Sequence, residues 1–173
     1  MKILLNRMGP FVFDMKIASY CLFFFGMQIM NLHAAIPEDL TNTESVEAAV
    51  TAYKTIGDLR KQSPIDADAI AQNYTGALQN LTKEVDEANN LGLDRDVLEA
   101  INELKLGHEP ALAAQVIDKT LQRVFYQIIW NRITMIRDEF ETASPAVLTS
   151  LLDNAEAAFQ AISGTVAREI QVL

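Results

Sequence analysis

One arginine in this sequence stands where a hydrophobic residue belongs. Between positions 110 and 142 the chain repeats with helical period. At 100° per residue, Leu121, Phe125, Ile128 and Ile136 fall within an arc of about 80°. Arg132 lands in the middle of that arc. A guanidinium in that place has to be paired, because an unpartnered buried charge is strongly destabilising. Two chemistries fit. Tied to a carboxylate or to helix-end carbonyls, Arg132 fixes the seating of its helix. Alternatively, its planar fork anchors a small anionic or carboxylate ligand. Tyr53 and Tyr74, placed on inner faces by their own helical periods, would then line the same internal pocket. Arg60 also falls on an inner face, but near a helix end, where snorkelling accounts for it. Asn154 lies at the margin of another apolar stripe.

The opposite side of the same helix carries a second group. Tyr126 and Trp130 project away from the apolar arc, beside Lys119, Arg123 and Arg137. Aromatic side chains next to arginine are what protein-binding surfaces favour. Either the helix over 95–106 or the C-terminal tail covers these side chains, or Tyr126, Trp130 and Arg137 form a docking face on an otherwise acidic protein.

Signals for catalysis or cofactor binding are missing from the sequence. There is no HExxH, no pair of Glu-x-x-His, no CxxC and no glycine-rich phosphate loop. Di-iron carboxylate bundles need a Glu-x-x-His from each of two helices. His108 and Met135 are the candidates for haem ligation, but 27 residues separate them. That is roughly 40 Å of helix, too far to share an iron. His108 reads as a turn residue. The acidic clusters are Asp66 with Asp68, Glu84 with Asp86 and Glu87, Asp94 with Asp96, and Asp138 with Glu139 and Glu141. Several sit in first helical turns, where carboxylates match the helix dipole, and none has the spacing of a calcium loop. Asn73-Tyr74-Thr75 and Asn80-Leu81-Thr82 match the glycosylation sequon. The expectation is a binding protein with no cofactor and no catalytic site. Its partner would be a protein or a small ligand.

Charge narrows the partner further. The chain has 173 residues and a formal net charge of −9, with an isoelectric point near 4.6. Nucleic acid and anionic lipid both call for a basic footprint. Residues 17–32 form an uncharged apolar run that follows Lys16, ends in Asn31-Leu32 and precedes His33-Ala34-Ala35. That layout describes a secretory signal peptide, residues 1–34, cleaved after Ala34 or Ala35. It predicts a periplasmic or secreted protein. The alternative is a membrane anchor kept uncleaved, although the run is short for a spanning helix. Met15-Lys16 makes a more ordinary signal start than Met1, given Asp14 and the cluster Phe11-Val12-Phe13. Cleavage would remove Cys21, the only cysteine, and His33. It would leave 11 basic against 22 acidic side chains in residues 35–173.

These groups must be held by helices, since no stretch alternates with period two. A first helix is expected over 43–62, capped by Thr43, with Val46, Ala49, Val50, Tyr53, Ile56 and Leu59 inward. Ser63-Pro64 should open a second, over 64–90, with Ile70, Tyr74, Leu78, Leu81, Val85 and Ala88 inward and Gly92 closing it. Asp94 should cap a short helix over 95–106, with Val97, Leu98, Ile101 and Leu104 inward, stopped by Gly107. Pro110 opens the helix that carries Arg132, over 110–142. Ser144-Pro145 starts the last, over 145–162, with Val147, Leu148, Leu151, Leu152, Ala155, Phe159 and Ile162 inward and Gly164 breaking it. Short connections favour antiparallel neighbours. The predicted architecture is an all-α, antiparallel four-helix bundle with 95–106 as a bridge, in a single domain over 35–173.

Overall fold

A computed structural model describes residues 42–170, with side chains as far as Gly164. The described residues all fall in one compact unit that spans 36–173. The predicted signal segment 1–34, the alternative start at Met15, Cys21 and His33 lie outside the described residues. The protein is all-helical, and no strand occurs among the described residues. Among the described residues six helices follow one another: α1 (Thr43–Leu59), α2 (Ala67–Tyr74), α3 (Ala77–Asn89), α4 (Leu93–Leu106), α5 (Pro110–Glu139) and α6 (Pro145–Ile170).

Helix α1 starts at Thr43, within the expected range, but is capped by a different residue and ends at Leu59, three residues early. Asn42, in an extended conformation, accepts a 3.2 Å hydrogen bond from the Ser45 N–H and so replaces Thr43 as N-cap. Its buried residues, Val46, Ala49, Val50, Tyr53 and Ile56, follow the i, i+3, i+4 pattern of one helical face.

The expected second helix is two helices. Ser63-Pro64 does not open it; Asp66 does, its carboxylate accepting from the Ala69 N–H at 2.9 Å. An aspartate with extended backbone is a strong cap, and here it takes the role three residues downstream of the Ser-Pro signal. The helix then stops at Tyr74. Thr75 turns extended, and Gly76 adopts φ +107°, ψ −129°, a region accessible essentially to glycine alone. The apolar stripe runs on through the break, with Ile70, Tyr74, Leu78, Leu81 and Val85 all buried. Ala88, expected inward, is exposed. At the far end of α3, Asn90 rather than Gly92 takes the left-handed C-cap, with φ 52°. Gly92 instead stands at the entrance of α4.

No side chain within α4 caps its start. Asp86 of α3 does so from a distance, its two carboxylate oxygens accepting from the N–H groups of Leu93 and Asp94, each at 2.8 Å. Asp94, expected as the cap, is freed for another task. Leu98 points outward rather than into the core.

Pro110 opens α5 as expected. The helix ends at Glu139, three residues early. In α6, Leu151, Asn154, Ala155, Ala158 and Ile162 are buried, while Leu152 and Phe159 are exposed. Gly164 does not break it, and the helix continues to Ile170. One glycine costs a helix only about 1 kcal/mol, which its neighbours can offset. In the packing, α5 is the hub, lying against α6, α4 and α3; α1 lies against α3, α6 and α2.

Candidate functional site

Arg132 is buried as its position on the wheel demands, with only 1% of its surface exposed. It is also paired: Nη2 donates to Glu84 Oε1 of α3 at 2.9 Å. Its Nε finds no acceptor among the described residues. The ion pair joins α3 to α5. It therefore does what the structural reading of the sequence requires and holds the two helices in one relative setting.

The two tyrosines proposed to share its pocket are engaged elsewhere. Tyr53 of α1 donates to Asp118 Oδ1 of α5 at 3.3 Å, and its ring meets Phe125 with centroids 5.1 Å apart. Burial pushes the Tyr53 hydroxyl above its ordinary pKa, and the adjacent Asp118 carboxylate adds to the effect. Arg60 closes this cluster. It pairs with Asp118 at 2.7 Å and donates to the Ala114 carbonyl at 3.0 Å, so the snorkelling reading is replaced by an inter-helix clamp. Asp118 and Arg132 are fourteen residues apart on α5, about 21 Å along the axis. Tyr53 and Arg132 therefore serve different levels of the interior.

Tyr74 belongs to a third cluster. It is fully buried and donates to Asp94 Oδ1 at 2.7 Å, an oxygen that also accepts from Gln79 at 3.0 Å. Burial raises its pKa strongly, with the Asp94 hydrogen bond acting in the same direction. A polar chain thus links α2, α3 and the start of α4. Asp86 was legible only as part of an acidic cluster. Its capping role depends on α3 and α4 meeting head to tail.

The outward face of α5 carries more than the sequence wheel picked out. Tyr126 and Trp130 are exposed, Trp130 at 58%, and Arg137 is exposed and bonded to Asp138 at 2.7 Å. Leu112, Val116, Ile133 and Phe140 are exposed as well, Phe140 at 69%. The expectation that the 95–106 helix covers Tyr126 and Trp130 is not met by α4; the side chains of the tail beyond Gly164 lie outside the described residues. The signal that would have found the additional four residues is their spacing, in steps of three and four along one line with Lys119, Arg123, Tyr126, Trp130 and Arg137. A line of six exposed large apolar or aromatic side chains interspersed with three cations on one helix face is the kind of surface that marks interaction sites.

At the N-terminal end of α5 the strip meets an open cleft between α4 and α5, with a volume of about 770 Å³. Leu112 and Val116 contribute apolar floor, and Asp96, Glu99, Glu103 and Glu109 contribute carboxylates. His108 sits at its edge, with Nδ1 3.1 Å from Glu103 Oε2. None of Arg132, Tyr53 and Tyr74 lines this cleft. No group of three or more His, Cys, Asp or Glu side chains among the described residues is arranged to hold a metal ion. No helix among the described residues is long and apolar enough to cross a membrane.

These features define an all-helical protein with internal ion-pair clamps and one apolar–basic surface strip. No protein-family model, curated protein or solved structure matches the chain.

Proposed function

We propose that this protein is an exported, non-catalytic helical bundle that acts as an interaction or accessory module, binding another protein through the outward face of α5. The exposed strip that includes Tyr126, Trp130 and Arg137 carries this reading. Binding energy at interfaces concentrates in tryptophan, tyrosine and arginine, and α5 presents all three on a rigid 30-residue helix. We read the architecture as an antiparallel four-helix bundle of α1, α3, α5 and α6. In support, α1 packs on α3, α3 on α5, α5 on α6 and α6 on α1. Across the diagonal, the long side chains Tyr53 and Arg60 of α1 reach α5.

A periplasmic or secreted location follows from the apolar run at 17–32 and the small residues after it. Intact mass of the protein taken from its source should give a chain that starts at Ala35 or Ile36. A mass that retains residues 17–32 would favour the anchor instead. The carrier reading, with a small anion or metal held in the interior, has less support, because Arg132, Tyr53 and Tyr74 each engage a different carboxylate.

Affinity capture with the tagged full chain tests the main proposal. Trp130→Ala should abolish capture of the partner and leave the melting temperature unchanged, because the side chain is exposed in the lone chain. A lower melting temperature with intact capture would mean that Trp130 is structural.

A further inference from the structure

The outward face of α5 is patterned finely enough to name its occupant, and this inference rests on the interaction-module reading above. Positions 112, 116, 119, 123, 126, 130, 133, 137 and 140 are all exposed. They advance in alternating steps of four and three, which is the a/d spacing of a coiled-coil seam. Leucine, valine, tyrosine, tryptophan, isoleucine and phenylalanine occupy six of them, and lysine or arginine the other three. We propose that this seam is self-complementary, and that α5 pairs antiparallel with α5 of a second copy of this chain.

The order of the side chains supports that choice. In an antiparallel pair each a position packs on a d position of the other helix. Centre the pairing between Arg123 and Tyr126. Arg123 then faces Tyr126 of the second copy, Lys119 faces Trp130, Val116 faces Ile133 and Leu112 faces Arg137. Two of the three cations meet an aromatic ring, the arrangement favoured by cation–π attraction, and the two β-branched residues meet each other. Sliding by one heptad either way sets Arg123 on Lys119 or Lys119 on Arg137. Parallel in-register pairing sets each cation on its own copy. Like charges at a seam are unfavourable.

The cleft supplies the remaining complementarity. In this register Arg137 of the second copy lies over Leu112, on the floor of the cleft whose carboxylates include Asp96, Glu99 and Glu109. Its exposed pairing with Asp138 is of a kind worth little by itself and can be exchanged for those carboxylates. Phe140, the most exposed large apolar side chain among the described residues, falls opposite Glu109 at the mouth of the same cleft.

Sedimentation of the full chain over a wide concentration range tests the proposal. The wild type should reach a dimer. Trp130→Ala should weaken self-association at least about 30-fold, as hot-spot residues do, with an unchanged melting curve at dilutions where both chains are monomeric. Arg137→Glu and Glu109→Arg should each loosen the dimer, and the double variant should recover it; both positions are exposed, so folding is not at stake. Nitroxide labels report the register. With the pairing centred as above, labels at Gln127 of the two copies are separated by about 7 Å along the axis and labels at Gln115 by about 28 Å. Equal distances at the two sites, or a dimer that survives Trp130→Glu, would overturn the pairing. A chain that is monomeric throughout, but whose Trp130→Ala variant loses a different protein, would overturn self-association and leave the interaction reading intact. A monomer in which Trp130→Ala changes no capture would overturn both.

Discussion

Arg132 and Glu84 form an asymmetric pair, and the asymmetry makes a prediction. The Arg132 side chain is almost wholly enclosed, while that of Glu84 retains 29% exposure. Removing the arginine leaves a carboxylate that can still reach water; removing the glutamate strands a cation in the core. Glu84→Ala should therefore cost about 3 kcal/mol, and Arg132→Met, which fills the space with an apolar side chain, about 1 kcal/mol or less. Urea denaturation of the two variants measures this, and equal losses would contradict it. Tyr74 and Tyr53 make a second prediction. Their hydroxyls are raised above the ordinary tyrosine value in the folded chain. The folded state therefore holds these protons more tightly than the unfolded one. The stability they contribute is complete below about pH 10, the unfolded tyrosine pKa, and falls as the pH rises above it. Tyr74→Phe should flatten part of that alkaline fall. It should also cost about 1 kcal/mol at neutral pH for the lost hydrogen bond. An alkaline slope equal to that of the wild type would show that Tyr74 ionises as easily folded as unfolded.

Among the elements, the break between α2 and α3 is the one most exposed to a single substitution. A Cβ at Gly76 would meet nothing within 4 Å, so the cost of Gly76→Ala is purely that of the backbone, with φ at +107°. About 1–3 kcal/mol is expected, read as a lower melting temperature with unchanged far-UV helicity. Gain of stability would mean that the chain prefers α2 and α3 as one continuous helix. The start of α4 depends on Asp86 alone for side-chain capping. Asp86→Ala should cost about 1–2 kcal/mol, with the loss of amide protection concentrated at Leu93 and Asp94. Helix period was enough to locate α1 and α4, and period together with the proline at the start was enough to locate α5 and α6. The Gly76 break was not legible, because Asn73-Tyr74-Thr75-Gly76-Ala77 contains no proline and a lone glycine is tolerated in many helices.

For the molecule as a whole, the acidic surface and the apolar–basic strip of α5 are separate features with separate consequences. Net negative charge keeps copies apart at long range, whereas the strip brings cations and aromatic rings to one line. Self-association through that line should strengthen as added salt screens the general repulsion, up to about the ionic strength at which the Debye length nears 8 Å. Sedimentation at several salt concentrations checks this. A dimer that only weakens with salt would point to attraction dominated by Arg137 and the carboxylates of the α4–α5 cleft.

What the sequence determined by itself was helical class, the burial of Arg132 and the outward projection of Tyr126 and Trp130. All three are properties of one helix, set by a 3.6-residue period that needs no partner to be read. What only the tertiary structure decided was who meets whom. Glu84 as the counter-ion of Arg132, Asp118 between Tyr53 and Arg60, Asp94 beneath Tyr74 and Asp86 at the head of α4 are each a pairing between elements. A carboxylate on an exposed-looking turn carries no mark of the element that will be brought to it, because that depends on how the helices stack. The same holds for Leu152 and Phe159. Each falls on an apolar stripe of α6, yet is left in the open because the neighbouring helices cover only part of that stripe.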